Sequence, residues 1–250
     1  MLEEEYLSML HNANFPRADF KPELFDSAIM QKGFNVIWEQ GMLCSCHDPI
    51  SGQPDINCTC CKGKGYMYIN PKKTRVLVTG LKAPRVQDHI GLDDIGSCYI
   101  TCLTEDNVGY RDKFTFPDFT IKYCETLLVD RGKKSQEESE YLISIDTGKT
   151  RYEIIDVVSL RVLDKEYIRT VDFDISPDKR HIIWMNDEIE DGIRYSLLYT
   201  VHPVYIVMNP IHELRGTYTV TNTKFMQAPP RFIPLPKQFQ IKREDFIPNG

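Results

Sequence analysis

Residues 44–66, CSCHDPISGQPDINCTCCKGKGY, hold five of the eight cysteines in a chain of 250 residues. Cys44 and Cys46 form a Cys-x-Cys pair, eleven residues rich in turn formers follow, and Cys58 and Cys61 form a Cys-x-x-Cys pair that runs into Gly63 and Gly65. This is the donor set of a metal knot: the turn signals Asp48-Pro49 and Gly52-Gln53-Pro54-Asp55 let a short loop bring four thiolates together. The glycines accept the left-handed backbone needed to point amides back at the sulfurs. Zinc is the expected ion, because it takes four soft or borderline ligands in a tetrahedron and has no redox chemistry. Four protein ligands leave no position for water, so the metal is expected to be structural. Two nearby donors, His47 and Cys60, could each replace one of the four. The alternatives are a cluster of free thiols and a disulfide staple in an oxidised protein.

Composition bounds the rest. The net charge of -6 and the apolar and aromatic content describe a globular protein whose surface is not built to grip phosphate backbones. The opening MLEEEYLSML has no basic region before an apolar one, and no run of eighteen apolar residues occurs, so a soluble, unexported chain without membrane contact is expected. Clustered cysteines in such a chain favour metal over disulfides. Cys98, Cys102 and Cys124 lie in strand-like sequence and are expected to be core thiols.

The pattern predicts a mainly β protein, a small barrel or sandwich with short N-terminal helices and a zinc-binding loop insert. Helices are expected over residues 2–12 and from Pro22 to a stop at Gly33. Strands 34–38 and 66–69 should lead into and out of the knot. Further short β-branched and aromatic runs are expected at 74–79, 97–104, 113–116, 119–123, 140–145, 151–157, 159–163, 181–185, 193–201, 203–208 and 217–225. The polar run 131–140 reads as an exposed loop. Ala228 to Pro236, APPRFIPLP, reads as an extended arm, with the last residues docking on something. The organisation expected is therefore 1–40 lead-in, 41–70 insert, 71–227 β domain and 228–250 arm.

Motifs for catalysis are lacking. Gly148-Lys149-Thr150 ends like a phosphate loop, but the glycine that loop needs is Ile143 here. His212-Glu213 has no second histidine four positions on, Asn186 to Gly192 lacks the alternation of a calcium loop and reads as a solvated hairpin tip, and no nucleophile accompanies Asp93-Asp94. Lys133, Lys134 and Arg151 read as solvated charge. No enzyme is expected.

Several stretches together carry a resemblance. GFNVIWEQGMLCSCHDPISGQPDINCTCCKGKGYMY, from Gly33 to Tyr68, resembles the cysteine-rich insert of neck proteins in tailed bacteriophages, and RDKFTFPDFTIKYCETLL, VDFDISPDKRHIIWMNDEIEDGIRYSLLYTVHPVYIV and HELR are similar to the β domain of such proteins, akin to head-tail connector and stopper subunits. The resemblance implies a virion protein, assembled in the host cytoplasm, that forms a cyclic ring with copies of itself between portal or adaptor and tail proteins. Packaged DNA would pass through without sequence-specific binding. It also implies Cys44, Cys46, Cys58 and Cys61 as zinc ligands and no catalytic residue. A tail-completion or baseplate subunit would use the same parts. Cys58 to Gly65 also resembles one Cys-x-x-Cys-x-Gly-x-Gly unit of the zinc region of DnaJ-type chaperones, which would make the chain a zinc-knuckle module for nucleic acid or unfolded chains.

Overall fold

The structure, a computed structural model, describes residues 22–55, 58, 60–61, 63–79, 95–130, 148–186, 189–212, 214–219, 222–223, 226–227 and 231–247. The expected helix at 2–12, the loop 131–140, the strand 140–145 and Asp93-Asp94 lie outside these residues.

The fold is mainly β, as the pattern predicts. Helix α1 (Pro22–Lys32) begins on a proline and stops at Gly33, whose amide caps the Ile29 carbonyl at 2.7 Å. No side chain would fit at that glycine, since a Cβ would lie 2.4 Å from the Ile29 oxygen and 2.9 Å from that of Val76. The Asp26 carboxylate anchors the helix by accepting hydrogen bonds from both the amide and the hydroxyl of Thr104, each at 3.0 Å.

Strands β1 (Phe34–Leu43) and β2 (Tyr66–Thr79) form a long antiparallel hairpin with the cysteine loop at its end. The two runs expected at 66–69 and 74–79 are one strand. A bulge between Trp38 and Gln40 takes up Asn70 and Pro71, and Asn70 adopts φ 53 and donates to the Gln40 side chain at 2.9 Å. A bulge is where a strand tolerates a proline, because no ladder amide is required there.

The hairpin is one third of a closed barrel. Strands β3 (Ser97–Cys102), β4 (Lys113–Thr115), β11 (Val204–His212) and β16 (Gln238–Arg243) complete it in the order β1-β2-β3-β16-β11-β4, with β4 pairing back to β1. Closure removes the edge strands that would otherwise invite pairing with other chains. Its core is Val36, Trp38, Val76, Ile100, Cys102, Phe114, Val207, Phe239 and Ile241 with their neighbours.

Two boundaries differ from the sequence reading. The last residues are not an arm: β16 is an interior barrel strand between β3 and β11, and Phe239 and Ile241 are buried. The alternation of Phe239 and Ile241 with polar neighbours puts one face inward, and that period of two outweighs the proline-rich run before it. Within that run, β15 (Arg231–Pro234) pairs with β12 (Gly216–Thr219) in a small ribbon, where an edge position admits Pro234. A shorter ladder joins β13 (Asn222–Thr223) and β14 (Met226–Gln227).

The β region is also not one unit. Between β4 and β11 the chain makes an excursion into a four-stranded sheet, β5 (Ile121–Leu128), β10 (Arg194–Val201), β6 (Asp156–Val162) and β7 (Lys165–Tyr167) in that order, plus the hairpin of β8 (Phe173–Ile175) and β9 (Ile182–Trp184). The excursion has its own core, in which Tyr195, Leu197, Tyr199 and Val201 alternate inward from β10. Of the run 186–192, expected as a solvated hairpin tip, the described residues lie between β9 and β10, two strands that do not pair with each other, and Ile189 among them is buried.

Of the three cysteines expected in the core, Cys102 is buried and Cys98 packs against the barrel core, but Cys124 is exposed because β5 turns it outward. Burial pushes the Cys98 thiol up to about 11.

Candidate metal centre

The loop between β1 and β2 is closed by backbone bonds that follow from its turn residues. The Cys44 amide donates to the Gly65 carbonyl at 2.8 Å and so continues the hairpin into the knot. The Asp48 carboxylate accepts from the amides of Ile50 at 2.6 Å and Ser51 at 3.0 Å, and the Asp48 amide donates to the Gln53 carbonyl at 2.9 Å. The amides of Ser51 and Ile50 hold that carboxyl below the usual carboxylate range. Gly52, Gly63 and Gly65 take φ of 67, 76 and 76, the left-handed backbone anticipated for the glycines after the second cysteine pair.

These turns bring the sulfurs of Cys44, Cys46, Cys58 and Cys61 within 4.8 Å of one another. Cys44 and Cys58 sulfurs are 3.7 Å apart, and those of Cys46 and Cys61 are 3.4 Å apart. A tetrahedral ion with metal–sulfur distances of about 2.3 Å would separate its ligands by roughly 3.8 Å. The spacing therefore fits a single metal ion held by four thiolates, and all four cysteines are free of disulfides.

The two rival donors stand apart. Cys60 is exposed and outside the group. His47 is outside it too: its Nδ1–H donates to the Cys44 carbonyl at 2.9 Å, and its ring packs edge-on to Tyr66 with centroids 6.3 Å apart. Its role is to brace the loop, and Gly65 makes room for it, since a Cβ there would lie 2.9 Å from the imidazole. We expect Cys60→Ser to retain the full complement of bound metal in elemental analysis and Cys46→Ser to lose it.

The thiols are unequal before metal arrives. The amides of Cys61 and Cys60 pull Cys58 down to about 6, whereas burial and the Cys61 thiol push Cys46 up to about 12. Cys58 thus offers a thiolate at neutral pH, and the remaining protons leave when a cation binds.

The knot is tied to the rest of the chain through Lys64, whose ammonium donates to Glu244 at 2.7 Å. Glu244 opens a 3-10 turn (Glu244–Phe246) directly after β16 and is 8% exposed. Burial opposes its ionisation, but the Lys64 ammonium and Arg151 more than offset that and hold the carboxyl below its ordinary range. A depressed folded pKa gives stability that is present above the unfolded value near 4.5 and lost as the pH falls through the folded value. Glu244→Gln should therefore narrow the gap in stability between pH 7 and pH 3, measured by urea unfolding at each pH. An unchanged acid limb would contradict this coupling.

Beside that ion pair lies a cleft of about 270 Å³ that includes Lys64, Tyr66, Tyr68, Arg111, Arg151 and Glu244 in its lining. Sequence reasoning missed it. Arg151 read as solvated charge, yet it is partly buried there, and nothing in the local sequence connects residues from four separate segments.

The other sequence motifs are structural where they are described. The Thr150 hydroxyl shares its proton between the backbone carbonyls of Tyr152 at 2.7 Å and Arg180 at 3.1 Å, so it is engaged by the chain itself. Asn186 donates to the Asp172 carboxylate at 3.0 Å. No protein-family model matches the chain, and no curated protein matches it either.

Proposed function

We propose that the chain is a non-enzymatic structural protein of a tailed-phage virion, a subunit of the ring in the neck that joins the DNA-filled head to the tail. The reading rests on the resemblance of residues 33–68 and of the later β segments, read from the sequence, to neck proteins. Two features support it. The four-cysteine cluster closes the end of a barrel hairpin with no ligand position left for water, which is the design of a structural zinc site. The closed barrel offers a rigid body from which the second sheet and the knot project, and such projections suit head-to-tail contacts around a cyclic ring.

On this reading the protein contacts copies of itself, portal or adaptor proteins and tail proteins, and DNA crosses the channel without sequence-specific contacts. Native mass spectrometry and negative-stain imaging of the purified protein test it. A closed ring is the expected result. A monomer that binds single strands with steep salt dependence would overturn it in favour of a zinc-knuckle binding module.

A further inference from the structure

The cleft beneath the knot is lined by more positive charge than it neutralises. Lys64 is matched by Glu244. Arg151 acts on the same carboxylate from further away, so three cations share one carboxylate, and Arg111 forms no ion pair with a carboxylate among the described residues. Arg111 is held instead by the rings of Tyr66 and Tyr110, at 5.3 and 5.2 Å from their centroids, and by a 3.9 Å contact to the Met208 sulfur. Arg151 lies 5.5 Å from the Tyr152 ring centroid and reaches the Glu244 carbonyl at 3.5 Å.

Each guanidinium lines the cleft with its Nε buried against the protein, so the terminal nitrogens are the donors open to a ligand there. The backbone adds a second sign. Arg111 has φ 67, a conformation disfavoured for a non-glycine residue, and such strain collects at binding sites. It is imposed from both sides: the Arg111 amide donates to the Val207 carbonyl at 3.0 Å, and β1 presses so close that a Cβ on Gly41 would lie 2.4 Å from the Arg111 oxygen.

We propose that this cleft binds a small oxyanion, a carboxylate or phosphate group, between the guanidiniums of Arg111 and Arg151 with Tyr66 and Tyr68 as walls. Planar guanidinium forks match the paired oxygens of both groups, and stacking on tyrosine fixes Arg111 before the ligand arrives. The volume, near the lower end for ligand clefts, suits a small anion or one acidic side chain. Lys64 comes from the knot, Arg111 from the β3–β4 connection and Arg151 from the chain entering β6, so an anion held there would join knot, barrel and second sheet. The inference does not depend on the ring reading.

The test is calorimetric titration of the full metal-loaded protein with inorganic phosphate and, separately, with glutarate, at ionic strength held constant with chloride. Saturable binding of at least one is expected, weakened about tenfold or more in Arg111→Gln and in Arg151→Gln and unchanged in Lys122→Gln on the exposed face of β5. Phosphate alone binding identifies a phosphate-bearing ligand, glutarate alone a carboxylate, and both a site that reads oxyanion charge. Arg111→Lys, which keeps the charge and loses the fork, should bind more weakly than wild type with an unchanged circular dichroism spectrum. No saturable binding of either anion to the folded wild type, or binding equally tight in both glutamine variants, would overturn the proposal.

Discussion

Cys61→Ser should abolish metal binding and unfold the loop from Cys44 to Gly65 while most of the barrel persists. Cys61 is buried, and its sulfur sits 3.4 Å from that of Cys46, so a serine removes one corner of the cluster and leaves three thiols with no common partner. Binding to isolated zinc modules contributes about 10–16 kcal/mol, as much as the net stability of a whole domain. What else holds this loop is polar and local, the Asp48 turn, the His47 contacts and the Lys64–Glu244 pair, and its described residues add none but the cysteines to the buried apolar core. Hydrogen exchange resolves the outcome. Protection should vanish over the described residues of the loop and fray into the outer hairpin, Gln40–Leu43 with Tyr66–Ile69. It should survive at Val36 and Val76, which belong to the barrel core. Wild type treated with a strong chelator should show the same map. Loss of protection throughout the barrel would mean that the metal holds the whole fold and not the loop alone.

Asp112→Ala should destabilise the barrel itself by about 3–5 kcal/mol, the cost of breaking a buried charged network by removing one partner. The Asp112 side chain is 4% exposed and accepts three hydrogen bonds, from the Trp38 indole at 2.7 Å, the Gly109 amide at 2.8 Å and the Gly41 amide at 2.9 Å. Its own carbonyl accepts from the Val207 amide at 2.9 Å. One residue thus joins β1, the β3–β4 connection and β11. Alanine would leave the buried Trp38 indole and the part-buried amides of Gly41 and Gly109 without this acceptor. Asp112→Asn keeps one acceptor oxygen and should lose less. Urea unfolding followed by tryptophan fluorescence and circular dichroism measures both. In a cycle with Trp38→Phe the two changes should be non-additive, because each removes the same hydrogen bond.

The metal cluster was the most legible part of the chain, since paired cysteines around turn residues leave few other structures open to them. Its four members were the first choice from spacing and residue type, with His47 and Cys60 left as possible replacements until the geometry set them apart, and the left-handed glycines Gly63 and Gly65 followed from residue type. Helix α1 was legible for the same kind of reason, with Pro22 and Gly33 as its ends. What stayed hidden is non-local. Nothing near Gln238 says that its neighbours insert between β3 and β11, and a proline-rich approach disguised a buried strand as an arm. Nothing near Ile121 says that the chain has left one barrel for a second sheet, because both use the same alternation. The β1–β2 hairpin was seen only in pieces, 34–38, 66–69 and 74–79, because Pro71 reads as a break until the bulge that holds it is known. The cleft was invisible, since Lys64, Arg111, Arg151 and Glu244 are brought together only by the closed barrel.

The account rests on the knot being a structural metal site, and elemental analysis of the wild-type protein purified without chelator tests that most directly. About one zinc ion per chain, with all cysteines reduced, is the predicted result. No metal, with Cys44, Cys46, Cys58 and Cys61 joined in disulfides, would contradict it and leave the loop a covalent staple.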